Sequence, residues 1–232
     1  MTVHAMIVRL KCLIKSVTGY LKTKDAPKVF CVGRTKTGTT SLKKAMEELG
    51  YVVGYQRTAE LLFRDWAKRD FRRIAAYCKT GEFFQDVPFS LPYTFQAMDM
   101  HFPGSKFILT IRDPESWHKS MVDFHLLESV HGNKAKSLER LKEATYCYKG
   151  FAYETKVFVY DLPGDDPYHK ETLIEHYNFH NKMVRDYFRN RKEDLLVLDV
   201  SEKDAYRKLC DFLGKPCRRE TFPWENKTEG RI

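Results

Sequence analysis

Several things are scarce or missing in this chain of 232 residues. The six cysteines, at positions 12, 31, 78, 147, 210 and 217, form no C-x-x-C pair, and Cys31 lies in an apolar run. They are therefore expected as small apolar residues in a reduced, cytosolic-type interior. No segment approaches the roughly 20 consecutive apolar residues of a membrane-spanning helix. Arg9, Lys11 and Lys15 also interrupt the apolar stretch of about 7 to 15 residues that a signal peptide needs. A soluble, cytoplasmic protein is the expectation. No internal repeat or low-complexity tract is present, and 43% hydrophobic with 14% aromatic residues is enough for one domain over residues 1–232 with a continuous core.

What is present is positive charge. Lysine and arginine number 40 against 31 acidic residues, a formal charge of +9 that favours nucleotides, nucleic acid or anionic lipid as ligands. Near the start, Met6, Ile7, Leu10, Leu13, Ile14, Val17 and Leu21 recur at helical spacing, with Arg9, Lys11, Lys15, Lys22 and Lys24 largely on other faces. Residues 1–24 thus read as an amphipathic basic helix. Packing on the domain is the commoner use of such a helix, and peripheral membrane contact through residues 5–24 is the other.

The rest alternates between short buried strands and helices. Lys28–Val32 is a strand ending at Gly33, followed by a helix with Leu42, Ala45, Met46 and Leu49 inward and Gly50 as its stop. Tyr51–Tyr55 and Glu82–Gln85 read as short strands, with one helical pattern over residues 58–79 between them. A helix over residues 92–101 ends in the Phe102-Pro103-Gly104 turn. Lys106–Ile111 is the strongest strand, and Asp113 caps a helix that begins at Pro114. Residues 127–166 read as mixed or inserted structure. Tyr168–Asn190 is a long helix, Leu195–Val200 a strand, and Asp204–Leu213 a last helix stopped by Gly214. This alternation implies an α/β fold with a mostly parallel sheet covered on both faces.

The first strand-to-helix turn points to anion chemistry. Such a turn aims several backbone N–H groups at one place, and the helix dipole adds partial positive charge. Gly33-x-x-x-x-Gly38 has the spacing of a Walker A loop, but Thr39 stands where that motif needs lysine. Lys36 lies inside the turn instead, where its ammonium can reach an oxygen between two phosphoryl-like groups.

Thr35-Lys36-Thr37-Gly38-Thr39-Thr40 resembles the 5′-phosphosulfate loop, P-K-[ST]-G-[TS]-[TS], of the sulfotransferases that use 3′-phosphoadenosine 5′-phosphosulfate (PAPS), with threonine replacing proline. Ile111-Arg112-Asp113-Pro114 with Ser120 resembles the family's 3′-phosphate site, and arginine's planar fork suits phosphate oxygens. The resemblance runs over roughly residues 28–228. It includes Phe212-Leu213-Gly214-Lys215-Pro216 and Phe222-Pro223-Trp224-Glu225-Asn226, and is strongest to the shorter bacterial-type members. It implies a three-layer α/β sandwich of the P-loop nucleoside triphosphate hydrolase-like kind, with about five mostly parallel strands. It also implies PAPS as donor, PAP as product, and Arg34, Thr35, Lys36, Thr37, Gly38, Thr39, Thr40, Ser41, Arg112 and Ser120 as donor contacts.

In open α/β sheets ligands gather at the carboxyl ends of strands. Lys36, Asp86 and Arg112 follow three of the expected strands, and Asp86 is the only carboxylate among them. It can take a proton from an acceptor hydroxyl. Asp86-Val87-Pro88 also resembles the D-x-P segment that supplies the base in some short sulfotransferases, whereas cytosolic members use histidine. His101, His118 and His125 are the nearby histidines; a turn-capping role is the other reading of Asp86.

The expected reaction is metal-independent in-line transfer to a hydroxyl of a glycan, lipid or small molecule. No Walker B-like aspartate follows an apolar strand, Asp199 coming nearest. The aromatic segment 87–100, with Phe89, Tyr93 and Phe95, and residues 127–166 are the expected acceptor walls. His176 and His180 are four apart on a helix but lack a third ligand, so a metal site is not expected. The basic runs Arg69–Arg73 and Arg185–Lys192 read as solvated helix faces rather than a specific nucleic-acid surface. Trp224 and Asn226 can fold over the nucleotide. Two rivals remain at this level: a P-loop small-molecule or nucleotide kinase, and a non-catalytic polyanion-binding module.

Overall fold

A computed structural model of the chain describes residues 18–127 and 135–223. After a helix ending at residue 23 (α1), the chain runs β1 (Val29–Cys31), α2 (Thr39–Glu48), α3 (Gln56–Glu60), α4 (Phe63–Ala67), α5 (Arg72–Tyr77), β2 (Phe83–Phe84) and α6 (Thr94–His101). It continues with β3 (Lys106–Thr110), α7 (Pro114–Leu126), α8 (Leu138–Leu141), α9 (Phe151–Val157), α10 (Lys170–Tyr187), β4 (Leu195–Leu198) and α11 (Ala205–Leu213).

The four strands pair in parallel in the order β2-β1-β3-β4. Successive side chains along a strand point to opposite faces, so β1 and β3 each feed two cores. Phe30, Val32, Phe107 and Leu109 face one side and pack with residues of α4, α5, α6 and α10. Val29, Cys31 and Ile108 face the other and pack with α2 and α11 through Leu42, Met46 and Leu209. Both faces being covered explains why these strands read as unbroken apolar runs. Phe30 anchors the first core, with the rings of Phe84, Phe89 and Phe107 at 5.7, 5.7 and 5.5 Å. Burying one such ring contributes about 1.5–3 kcal/mol.

Two expected elements differ. Tyr51–Tyr55 is no strand: it makes a single parallel bridge, Val53 to Phe83, beyond β2. The described sheet therefore has four strands, with this segment lying along its edge. The helix expected over residues 58–79 is three short helices and a final turn. Of the apolar positions that suggest its inward face, Leu62, Trp66, Ile74 and Tyr77 are buried and Phe71 is half-buried, whereas Leu61 is exposed, because the breaks in the helix turn it out of the stripe. The chain breaks because Arg69 adopts a left-handed conformation (φ 57°), and Asp70 accepts the Arg72 N–H at 3.2 Å to start α5.

At the amino end, residues 1–17 of the expected basic helix lie outside the described residues. The described part packs tightly, since a Cβ on Gly19 would lie 2.1 Å from the Thr80 carbonyl oxygen. Among the described residues, no helix is long and apolar enough to cross a membrane.

The strand order sets where a site can form. From β1 the chain moves to β2 on one side, then returns past β1 to reach β3. The loops leaving β1 and β3 therefore diverge from adjacent strand ends, the crevice where open α/β sheets hold ligands.

Candidate active site at the carboxyl ends of the strands

A cleft of about 1160 Å³ opens at that point and is lined by residues 34–41 together with Asp86, Arg112 and Ser120. The structure thus brings every residue singled out for donor binding, and Asp86, to one cavity.

The loop is held tightly against the sheet. Gly33 passes so close to the end of β3 that a Cβ would lie 2.1 Å from Thr110 Oγ1 and 2.4 Å from the Thr110 carbonyl oxygen. The Thr37 hydroxyl lies 2.6 Å from Thr110 Oγ1 and 2.6 Å from the Arg34 carbonyl, closing the turn on itself. Gly38 takes a left-handed conformation (φ 93°) as the N-cap of α2, favourable for glycine. No side-chain hydrogen bond caps α2, and its first residues Thr39, Thr40 and Ser41 line the cleft, where a helix start presents its N–H groups. Lys36 is also left-handed (φ 72°), and its ammonium lies 3.8 Å from the centre of the Phe124 ring on α7.

Three residues that the sequence reading missed hold this loop in place. Trp117 Nε1 donates to the Thr35 carbonyl at 2.9 Å and stacks on Tyr177 at 4.4 Å. The Tyr177 hydroxyl accepts from the Arg112 N–H and donates to the Arg112 carbonyl, both at 2.9 Å. His180 Nε2 bonds to the Val32 carbonyl at 2.8 Å, so that nitrogen carries the proton. Burial, with Arg34 nearby, pushes the His180 pKa down to about 3, and the ring stays neutral. His176 turns its ring edge-on to Tyr160, so the histidine pair serves two separate contacts. Among the described residues there is no group of three His, Cys, Asp or Glu that could hold a metal ion.

Asp86 follows β2 in a left-handed conformation (φ 53°), just before the cis Val87–Pro88 peptide. Its Oδ1 is buried with no hydrogen-bond partner, and Oδ2 accepts from Gln85 at 3.3 Å. Burial pushes its pKa up to about 6, and Glu60 adds to this. The Thr39 hydroxyl, Lys36 and Lys43 oppose it. A carboxyl poised in this way can be ionised near neutrality and still accept a proton readily.

Arg34 supplies more than backbone. Its side chain is buried, donates to the Ser90 carbonyl at 3.1 Å, and leaves Nε without a hydrogen-bond partner. Arg112 is exposed at the mouth of the cleft, and Asp113 caps α7 by accepting the Ser116 N–H at 2.9 Å. Asp199 also lines the cleft, but its carboxylate is engaged by the Ser201 N–H and hydroxyl at 2.9 and 2.7 Å.

The acceptor walls require a correction. Phe89 and Phe95 are core residues, 1% and 0% exposed, and Tyr93 lies on the surface against Arg69. They lie in the segment that crosses under the cleft, so their rings complete the core while Val87, Ser90 and Leu91 line the cavity. The opposite wall does come from the expected irregular stretch, through Tyr146, Phe151, Lys156 and Tyr160. Glu60 joins it from α3, accepting from Arg57, Tyr146 and Cys147 at 3.3, 3.2 and 3.1 Å.

Of the remaining residues, His125 lines the cleft, while His118 bonds to the Tyr168 carbonyl at 2.8 Å and lies outside the lining. The basic runs are occupied by ion pairs such as Arg73–Asp65 and Arg191–Asp99, away from the cleft. Trp224 and Asn226 lie outside the described residues, but buried Phe222 brings the chain to the cleft wall just before them.

A family model described as a sulfotransferase domain matches residues 28–231, most of the chain. Among solved structures, a sulfotransferase from Alicyclobacillus acidocaldarius aligns with 90% of this chain and 87% of its own, at 18% identity and a TM-score of 0.47. No curated protein matches the sequence.

Proposed function

Because the chain belongs to the sulfotransferase domain family, we propose that it moves a sulfuryl group from PAPS to the hydroxyl of a glycan, lipid or small molecule. The observation that carries this reading is the convergence of Lys36, Asp86 and Arg112 on one cleft at the ends of β1, β2 and β3. The uncapped α2 and the close approach of Gly33 to Thr110 make a cradle that suits a phosphosulfate, and the unpartnered Arg34 Nε adds a buried positive group beside it.

Bound PAPS supplies the sulfuryl group, with PAP as the leaving group. Lys36 and the first-turn N–H groups of α2 meet the charge that develops on the bridging oxygen as the sulfur–oxygen bond breaks. Donors placed in this way contribute about 2.7–4 kcal/mol each to lowering a barrier. Arg112 and Ser120 hold the 3′-phosphate and fix the nucleotide end. Asp86 takes the acceptor proton as the acceptor oxygen bonds to sulfur, a role that contributes about 10²–10⁴ in rate. Positive charge comes from side chains and backbone, and Asp199 is already bonded to Ser201, so the reaction is read as metal-independent.

Thermal melting with added PAP tests the donor assignment. PAP raises the melting temperature without magnesium, whereas stabilisation by Mg-ATP alone would favour a kinase. Incubation with labelled PAPS and a panel of hydroxylated glycans, phenols and lipids tests the reaction. Transfer is lost in Lys36→Ala; retention of full transfer in that variant would overturn the role of Lys36.

A further inference from the structure

Several basic side chains in the segments around the wall opposite the loop are paired with carboxylates, and none of these lines the cleft itself. Arg57 pairs with Glu60 at 3.3 Å, Arg64 with Glu154 at 2.5 Å, Lys142 with Glu139 at 2.5 Å and Lys149 with Glu143 at 2.6 Å. Lys156 on α9 differs. It is 5% exposed yet lines the cleft, and among the described residues no carboxylate lies within ion-pair distance of its ammonium.

Its neighbours are soft or aromatic. Met121 Sδ lies 3.7 Å away, and the ring centres of Tyr168 and Tyr160 lie 4.4 and 5.4 Å away. Ring faces and a thioether compensate a buried ammonium only in part. Tyr168 is itself 9% exposed, and its hydroxyl is buried with no hydrogen-bond partner. Two hydrogen-bonding groups, one cationic and one a phenol, are thus incompletely satisfied beside the same cavity. Burial draws the Lys156 pKa down to about 7, with Asp166 opposing from farther off, so an arriving anion would restore the full charge.

Resting on the sulfuryl-transfer reading above, we propose that Lys156 and the Tyr168 hydroxyl, with Tyr160 as the adjoining ring, form a subsite for a carboxylate or sulfate group on the acceptor. The acceptor class is then a hydroxylated organic acid with an apolar body. Its anionic end lies against Lys156 and Tyr168, its body against Phe151 and Leu141, and its hydroxyl toward Asp86.

Matched probes test this on the full chain. Binding of 3-(4-hydroxyphenyl)propionate and of its methyl ester is measured calorimetrically with and without PAP, in the wild type, Lys156→Met and Tyr168→Phe. The acid binds the wild type about tenfold or more tightly than the ester, as expected for one charge-assisted contact. That ratio falls to near one in Lys156→Met and by about threefold in Tyr168→Phe, a variant that removes only the hydroxyl. Equal affinity for acid and ester, no binding of the acid to the wild type, or a ratio undiminished in both variants would overturn the subsite. If PAP fails to stabilise the protein, the donor reading fails; the ratio measured without PAP still judges the subsite by itself.

Discussion

The two sides of the cleft are built in different ways. The donor side is a turn of a few consecutive residues between β1 and α2, pinned to the neighbouring strand end by Gly33, Thr37 and Thr110. The facing wall is assembled from α3 and residues 141–168, joined by side-chain contacts across large sequence distances, such as Arg57 to Cys147 and Tyr146 to Glu60. A site made by consecutive backbone leaves a motif; one made by distant side chains leaves none. The proposed donor side is accordingly fixed by backbone geometry, whereas the proposed acceptor side can change its chemistry one side chain at a time.

Substitutions that strike one side only would break this comparison. The largest effect is expected for Asp86→Asn, with transfer lowered about 10²–10⁴-fold while PAP still stabilises the protein. Because burial raises the Asp86 pKa to about 6, the wild-type rate climbs as pH rises through 6, and the variant's residual rate lacks that limb. A pH–rate profile with the same limb in the variant would remove Asp86 as base.

The same raised pKa has a thermodynamic sign. The folded state holds the Asp86 proton more tightly than the unfolded state, so this group's contribution to stability is greatest below the ordinary value of 3.8. It falls as pH rises toward 6 and is absent above it. Asn also tolerates the left-handed backbone at this position. Asp86→Asn is therefore expected to melt at a higher temperature than the wild type at pH 7.5, with the gain shrinking toward pH 4. A lower melting temperature at pH 7.5 would contradict the burial of this carboxylate.

Gly33→Ala sharpens the comparison from the donor side. Its methyl group would meet rigid backbone at Thr110, so the loop must shift. The rise in melting temperature with PAP is expected to be lost, while thermal melting without ligand shows destabilisation of about 1–3 kcal/mol. The smallest effect is expected for Glu154→Gln, which breaks a partly exposed pair with Arg64 on the far wall. It should cost under about 1 kcal/mol and leave stabilisation by PAP unchanged.

The sheet and the donor loop were legible because their signals are local. Phe107–Thr110 is a buried run too short for a helix and bounded by the Phe102-Pro103-Gly104 turn, and Gly38 and Gly214 take the left-handed conformations their positions suggest. Helix continuity over residues 58–79 was not legible, since nothing around Arg69 marks a break until Asp70 is seen capping the next turn. Trp117 and Tyr177 carry no motif that marks them, and His180 stands out only as half of a histidine pair with His176. Their partners, the carbonyls of Thr35, Arg112 and Val32, carry no side-chain signature. Lys156 was obscured for a related reason: its aromatic company comes from Tyr160 one turn on and Tyr168 beyond a proline-glycine turn, in a stretch with no clear period.

The stacked rings of Trp117 and Tyr177 carry one further consequence. One ring grips the carbonyl of Thr35 and the other grips both backbone groups of Arg112. The span from the loop to Arg112 is thus set by the thickness of two stacked rings 4.4 Å apart, before any nucleotide arrives. The pair works as a caliper. On the proposed reading, a nucleotide whose charged groups are spaced differently would meet a fixed gauge rather than a yielding surface, and the cleft would select its donor by length as well as by charge.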